Sequence, residues 1–336
     1  MSAVCALVDL LAGRRDAASL SPREWDGVIS VARAEALLGT LSVRLGDAAL
    51  PAPVAALFAD QRAAAEVAQH QALWEAEMAR RALADDAEFV LLKGTAYAAA
   101  GLSCARGRQI GDLDILVPWH DIGRAENELL EGGWEWVKPD PYDDAYYRDH
   151  MHELPPLIHK ARDRMIDVHH TILPRTHRKT PDPLALVADA VPTASGFAVL
   201  CPTDMACHCA AHMLADGDLQ GGLRNLWDFH CLAGDFVAAD AGFWGRLDAR
   251  AAKHGLRVEV RRAARLARDL YGTVLPSGWD GHDPGDRWYR RRLLARDDWG
   301  GASDFLLQQA FYIRSHWLRM PPAMLARHLW AKWRRR

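Results

Sequence analysis

Residues 112–116, Asp-Leu-Asp-Ile-Leu, place two carboxylates inside a short apolar run that Pro118 terminates. The run is too short for an amphipathic helix and ends at a chain breaker, so it predicts a short strand. Side chains alternate along a strand, and Asp112 and Asp114 therefore leave from one face, near enough to repel each other. Such a pair becomes favourable when divalent cations bridge it. Hard oxygen ligands of this kind suit Mg²⁺ or Mn²⁺.

The flanking pattern predicts an α+β fold. From about Ser21 to Asp86 the chain is rich in Ala, Leu, Glu and Arg with apolar residues at three-to-four spacing, which predicts helices. At Glu88 the texture changes. EFVLLKG is a short apolar run ending in Gly94, TAYAAAGL reads as helix, and a further helical stretch runs from Trp119 to Leu130. After the Gly132–Gly133 turn, WEWVK reads as a strand, and HELPPLIHK and RMIDVHHTI, separated by ARDR, predict a hairpin. PRTHRKTPDP is a Pro-rich, basic connection, and from Pro202 the helical pattern returns, interrupted near LPSGWDGHDPGD. At 336 residues the chain exceeds the usual size of one core. The expected division is a helical region over 1–86, an αβ core with a small mixed sheet over 87–200, and a second helical region over 201–336.

Composition narrows the class. Half the residues are hydrophobic and a quarter charged, as in a soluble globular protein. Lys and Arg total 41 against 44 Asp and Glu, a net charge of -3 that argues against a dedicated nucleic-acid binder. The six cysteines have no repeated spacing, so no disulfide framework is expected. The first residues lack the basic-then-apolar order of a secretory signal, and no uncharged apolar run approaches the ~20 residues of a membrane span. A cytoplasmic location is expected. Near the C-terminus Trp317, Trp330 and Trp333 mix with many Arg residues, and Pro321 and Pro322 divide the stretch. A terminal helix packing its aromatics on the body is the expected reading, with peripheral membrane or RNA contact as the alternative.

Three segments join the acid pair as candidates for one site. LLKGTAY puts Gly94 and Thr95 at a strand-to-helix junction, where free N–H groups favour phosphate and glycine permits close approach. IDVHH supplies a third acid, Asp167, from a later strand, and His169 shares its face. Lys93 and Arg108 flank the cleft with the charge to contact a triphosphate. Two metal ions bracketed by three acids can hold a triphosphate, activate an attacking oxygen and stabilise leaving pyrophosphate. CPTDMACHCAAHML has no C-x-x-C pair, so Cys201, Cys207, Cys209, His208 and His212 read as helix packing with an acceptor-site role for the histidines, not as zinc ligands. Arg224 and Asp228 form an i, i+4 pair on a helix whose Leu223, Leu226, Trp227 and Cys231 read as a core stripe.

The order of strand, Gly-Thr, helix, strand with Asp-x-Asp, and later strand with Asp resembles the DNA polymerase β-type nucleotidyltransferase superfamily. More narrowly, LLKGTAYAAAGL, RQIGDLDILVP and IDVHHTIL resemble the bacterial uncharacterised nucleotidyltransferase family through Lys93, Gly94, Arg108, Asp112, Asp114, Asp167 and His169. Thr95 stands where the superfamily more often has Ser, and the gap to Asp112 is longer than usual in the superfamily. The resemblance implies a polymerase β-like core, two Mg²⁺ or Mn²⁺ ions held by Asp112, Asp114 and Asp167, and an NTP as substrate. Transfer of a nucleoside monophosphate to a small-molecule or peptide acceptor is the expected reaction. A toxin-like transferase modifying tRNA or protein, and a non-catalytic nucleotide-binding protein, are the alternatives.

Overall fold

The long Ala-, Glu- and Arg-rich run becomes one 31-residue helix, Ala52–Ala82. The computed structural model describes residues 2–46, 48–83, 89–137 and 140–320, with Leu325 and Trp330. The expected boundary between 86 and 87, and Pro321, Pro322 and Trp333, lie outside them.

The N-terminal helices are α1 (Ala3–Leu11), α2 (Pro22–Ala34), α3 (Leu38–Leu45) and α4 (Ala52–Ala82). Ser21 accepts from the Glu24 N–H and Glu24 returns to the Ser21 N–H, a reciprocal cap that starts α2 at Pro22. The middle of the chain holds β1 (Val90–Leu91), α5 (Lys93–Ala99), β2 (Leu113–Leu116), α6 (Ile122–Glu131), β3 (Trp134–Trp136), α7 (Pro141–His150), β4 (Leu157–His159), β5 (Met165–His169), α8 (Pro183–Ala188), β6 (Val191–Pro192) and β7 (Ala198–Val199). The last third is helical again: α9 (Pro202–Ala211) with a π turn over His212–Asp216, α10 (Gly222–Ala239), α11 (Phe243–Lys253), α12 (Arg257–Tyr271), α13 (Asp286–Leu293) and α14 (Phe305–Arg319). The class is mixed α+β, with fourteen α-helices and seven strands among the described residues.

The strands form one mixed sheet in the order β3-β4-β5-β2-β1-β7-β6. The predicted hairpin is β4–β5, antiparallel with Leu157 opposite Ile166. β2 lies at the centre, parallel to β5 on one side and antiparallel to β1 on the other. Its Leu113, Ile115 and Leu116 are almost wholly buried, as an interior strand requires. Arg162, in the β4–β5 turn, donates to Glu75 of α4 at 3.0 Å and lies over the Trp134 ring, which fixes the hairpin against the long helix.

Two parts of the fold were not anticipated. α7 arises in the polar stretch PYDDAYYRDH because Arg148 donates to Glu126 of α6 at 2.7 Å and to Asp144 at 2.9 Å, a tertiary bond without hydrophobic periodicity. The two-residue strands β6 and β7 extend the sheet through the parallel pairing of β7 with β1.

The helical regions at the two ends meet each other. Glu35, after α2, accepts the Leu223 N–H at 3.1 Å and Arg296 Nε at 2.7 Å, and Arg14 donates to the Leu270 carbonyl at 2.8 Å. Arg224 and Asp228, the expected i, i+4 pair, are 5% and 2% exposed. Asp228 accepts from Arg224 Nε at 3.0 Å and also from Arg108, so one interior carboxylate serves two guanidiniums and joins α10 to the loop before β2. α14 packs on the π turn through Arg314 and Arg319, which donate to the Leu214 and Asp216 carbonyls at 2.8 Å. Trp317 lies under the Arg178 guanidinium and is 43% exposed. All six cysteines are free, and among the described residues no helix is long and apolar enough to cross a membrane.

Asp228→Asn would leave Arg108 and Arg224 without their shared counter-charge. A loss of about 3–5 kcal/mol in unfolding free energy is expected, read by denaturant titration. The His230 imidazole, bonded to Thr273 Oγ1 at 2.7 Å, is pushed by burial from its ordinary 6.5 down to about 4. The fold therefore favours its neutral form, and that stability, present above pH 6.5, is lost as pH falls towards 4. His230→Gln is expected to show a shallower decline across this window in pH-dependent unfolding.

Candidate functional site

The register between β2 and β5 brings the acids together. Asp114 lies directly opposite Asp167 in the parallel pair, so both carboxylates leave from one face. Asp112, two residues earlier at the entry to β2, joins that face. One oxygen from each of Asp112, Asp114 and Asp167 lies within 4.8 Å of the other two, a spacing that divalent cations can bridge. Exposure is graded: Asp112 is open to solvent, Asp167 half-buried, and Asp114 3% exposed.

Asp114 is the best supported of the three. Lys93 Nζ lies 2.5 Å from its Oδ1, and His169 Nε2 lies 3.0 Å from the same atom. Burial pushes its carboxyl up, but the Lys93 ammonium and His169 outweigh this and hold it well below the ordinary range. Burial likewise works against charge on Lys93, and Asp114 reverses the effect, so the ammonium stays protonated. Asp167 has no such partner. Burial, with the carboxylates of Glu153 and Asp114 nearby, pushes it up to about 7. The group asks for added positive charge, and a divalent cation fits that demand.

Lys93 also shapes the turn from β1 into α5. Its backbone φ is +49°, in the left-handed region that costs a side chain ~1 kcal/mol or more. The Leu92 N–H donates to the Asp114 carbonyl at 3.0 Å, which holds the turn to β2. The first-turn N–H groups of Lys93, Gly94 and Thr95 have no acceptor within their own helix. A Cβ on Gly94 would lie 2.8 Å from Arg108 Nε and 3.3 Å from Ile110 Cγ1, so this position needs glycine for packing as well as for any approach of phosphate. Thr95 is 1% exposed, and its hydroxyl has no partner among the described residues. Lys93, Asp112, Asp114, Asp167 and His169 thus meet around one spot, with Gly94 and Thr95 adjoining. Arg108 lies behind Gly94, turned to Asp228 and the Tyr97 ring.

One neighbour, Glu153, escaped the sequence reading. Glu153 bridges to His169 in antiparallel register, with the Leu154 N–H on the Val168 carbonyl and the His170 N–H on the His152 carbonyl, each 2.9 Å. It therefore presents a fourth carboxylate on the face of Asp114 and Asp167. The predicted hairpin included this segment, but its register continued unbroken from Leu157 opposite Ile166 would set Glu153 opposite His170, and the observed bridge to His169 is shifted by one residue. His208 of α9 and His212 of the π turn lie near enough to Lys93 and Asp114 to feel their charge, and burial pushes both imidazoles down, His212 to about 4. Cys207 and Cys209 are buried, and among the described residues no cysteine joins a group spaced to hold a metal.

A family model described as an uncharacterised nucleotidyltransferase matches residues 21–272. No curated protein and no solved structure matches the chain. The matched span starts at the cap of α2, takes in the whole sheet and all four carboxylates, and ends just after α12. Covering well over half of the sequence, it establishes that the chain belongs to the uncharacterised nucleotidyltransferase family.

Proposed function

We propose that the protein is a metal-dependent nucleotidyltransferase that moves a nucleoside monophosphate from an NTP to a small-molecule or peptide acceptor, releasing pyrophosphate. The observation that carries this reading is the convergence of Asp112, Asp114 and Asp167 within 4.8 Å on paired strands. A polymerase β-like core within 87–200, between helical regions 1–86 and 201–336, is part of the proposal. A binding-only module has no evident use for so many repelling carboxylates, and the net charge of -3 weighs against a tRNA acceptor.

The chain's residues then divide the work. Asp112, Asp114 and Asp167 would hold two Mg²⁺ or Mn²⁺ ions, which when bound supply the positive charge that steadies a triphosphate and its leaving pyrophosphate. The N–H groups of Gly94 and Thr95, with the unpaired Thr95 hydroxyl, would take phosphate oxygens. Lys93 would exchange Asp114 for the same oxygens. Asp167, half-buried beside the metals, would also help to take the acceptor's proton. His169 orients Asp114. Arg108 enters as the support beneath Gly94 and not as a phosphate ligand, because Asp228 already holds its guanidinium.

Incubating the full chain with each α-labelled NTP, Mg²⁺ or Mn²⁺ and host extract would identify the acceptor pool, with pyrophosphate release as the primary readout. Asp112→Asn is the cleaner variant. Asp112 is exposed, so its unfolding free energy should stay within ~0.5 kcal/mol of the parent while metal-dependent pyrophosphate release disappears. Asp167→Asn should behave alike in the assay. Undiminished release in both variants would sink the assignment.

A further inference from the structure

Beside the acid trio, His152, Glu153 and His169 converge with no side-chain hydrogen bond among the three. Glu153 Oε2 lies 3.4 Å from His169 Nε2 and 3.7 Å from His152 Nε2. Both separations are long for a hydrogen bond to nitrogen. They are close to the ligand-to-ligand edge of about 3.3–3.6 Å in a tetrahedron whose metal bonds measure about 2.0–2.2 Å. One ligand atom from each residue lies within 4.8 Å of the other two. His152 is only 8% exposed, so its imidazole meets the other two in the interior. The backbone holds the three in place: Glu153 and His169 are cross-strand partners, and the His152 carbonyl takes the His170 N–H at 2.9 Å.

We propose that His152, Glu153 and His169 form a zinc site separate from the acid trio, with three protein ligands and a fourth position open to water or to a substrate atom. Two imidazoles and one carboxylate suit Zn²⁺, whereas Mg²⁺ seeks an octahedron of oxygens. The two sites meet at one atom. His169 Nε2 now lies 3.0 Å from Asp114 Oδ1, and a nitrogen that binds metal cannot also donate a proton. Loading the site moves the His169 proton to Nδ1 and leaves Lys93 as the remaining partner of Asp114 Oδ1. Zinc therefore alters the surroundings of the central carboxylate without occupying the trio.

This site does not depend on the nucleotidyl-transfer reading. The test uses the full chain stripped by a chelator and titrated with Zn²⁺ alone, and with Co²⁺ alone as a coloured probe of tetrahedral coordination. One Zn²⁺ per chain is expected, weakened by more than about tenfold in Glu153→Gln and in His152→Ala, and retained in Asp112→Asn. Circular dichroism of the metal-free forms checks folding. Should His152→Ala not fold, the isosteric Glu153→Gln decides the matter. Absence of stoichiometric binding, binding that survives Glu153→Gln, or binding lost in Asp112→Asn would overturn the site. Pyrophosphate release without zinc binding overturns this site alone; zinc binding without release in any NTP assay leaves it standing and removes the transferase reading.

Discussion

A carboxylate with almost no access to water sits in the middle strand, and much of the surrounding architecture serves to keep it charged. Asp114 in its strand would be prohibitively costly alone. Its ammonium partner comes from the turn after β1, held there by an unusual backbone conformation, and its imidazole partner comes from β5, two residues beyond the acid that it faces. The parallel pairing of β2 with β5 is thus an electrostatic arrangement as much as a hydrophobic one. A slip of one residue would turn Asp167 and His169 to the other face and strand Asp114 beside Lys93 alone.

The interior holds further charges on the same principle. Asp228 is shared by two arginines from different parts of the chain, and Asp204, at the start of α9, takes Arg250 Nε at 2.6 Å and His254 Nε2 at 2.9 Å. Each such carboxylate reaches across elements that the apolar packing would bring together only approximately. Apolar burial favours collapse, whereas these bonds admit few relative placements of the helices. The loop carrying Arg108 is set this way, and through it the position of Gly94.

What could be read from the residues follows from the range of the forces involved. The short strands around Leu113–Leu116 and Met165–His169 were legible because alternation and punctuation are local, and so was the meeting of Asp112, Asp114 and Asp167, which needs only strand periodicity and one pairing. Glu153 was not, because its place depends on a single bridge to β5. The helix Pro141–His150 was missed because an ion pair with Glu126 holds it, and the burial of Arg224 with Asp228 was missed because an i, i+4 pair reads alike on a surface and in a core. Arg108 shows the limit of reading charge from sequence: its position before the acid pair was visible, its partner 120 residues away was not.

The meeting of the chain's two ends has a kinetic side. The Ala3 N–H is bound to Asp298 across 295 residues, and Glu35 to Arg296 across 261. Contacts of such separation close large loops before they return any energy, and chains rich in them fold slowly. During synthesis the first helices leave the ribosome long before their partners exist. Their apolar faces and the lone Glu35 must wait through the making of the entire sheet. The central strands can pair in that interval, but the helical layer closes only after Arg296 and Asp298 have been made.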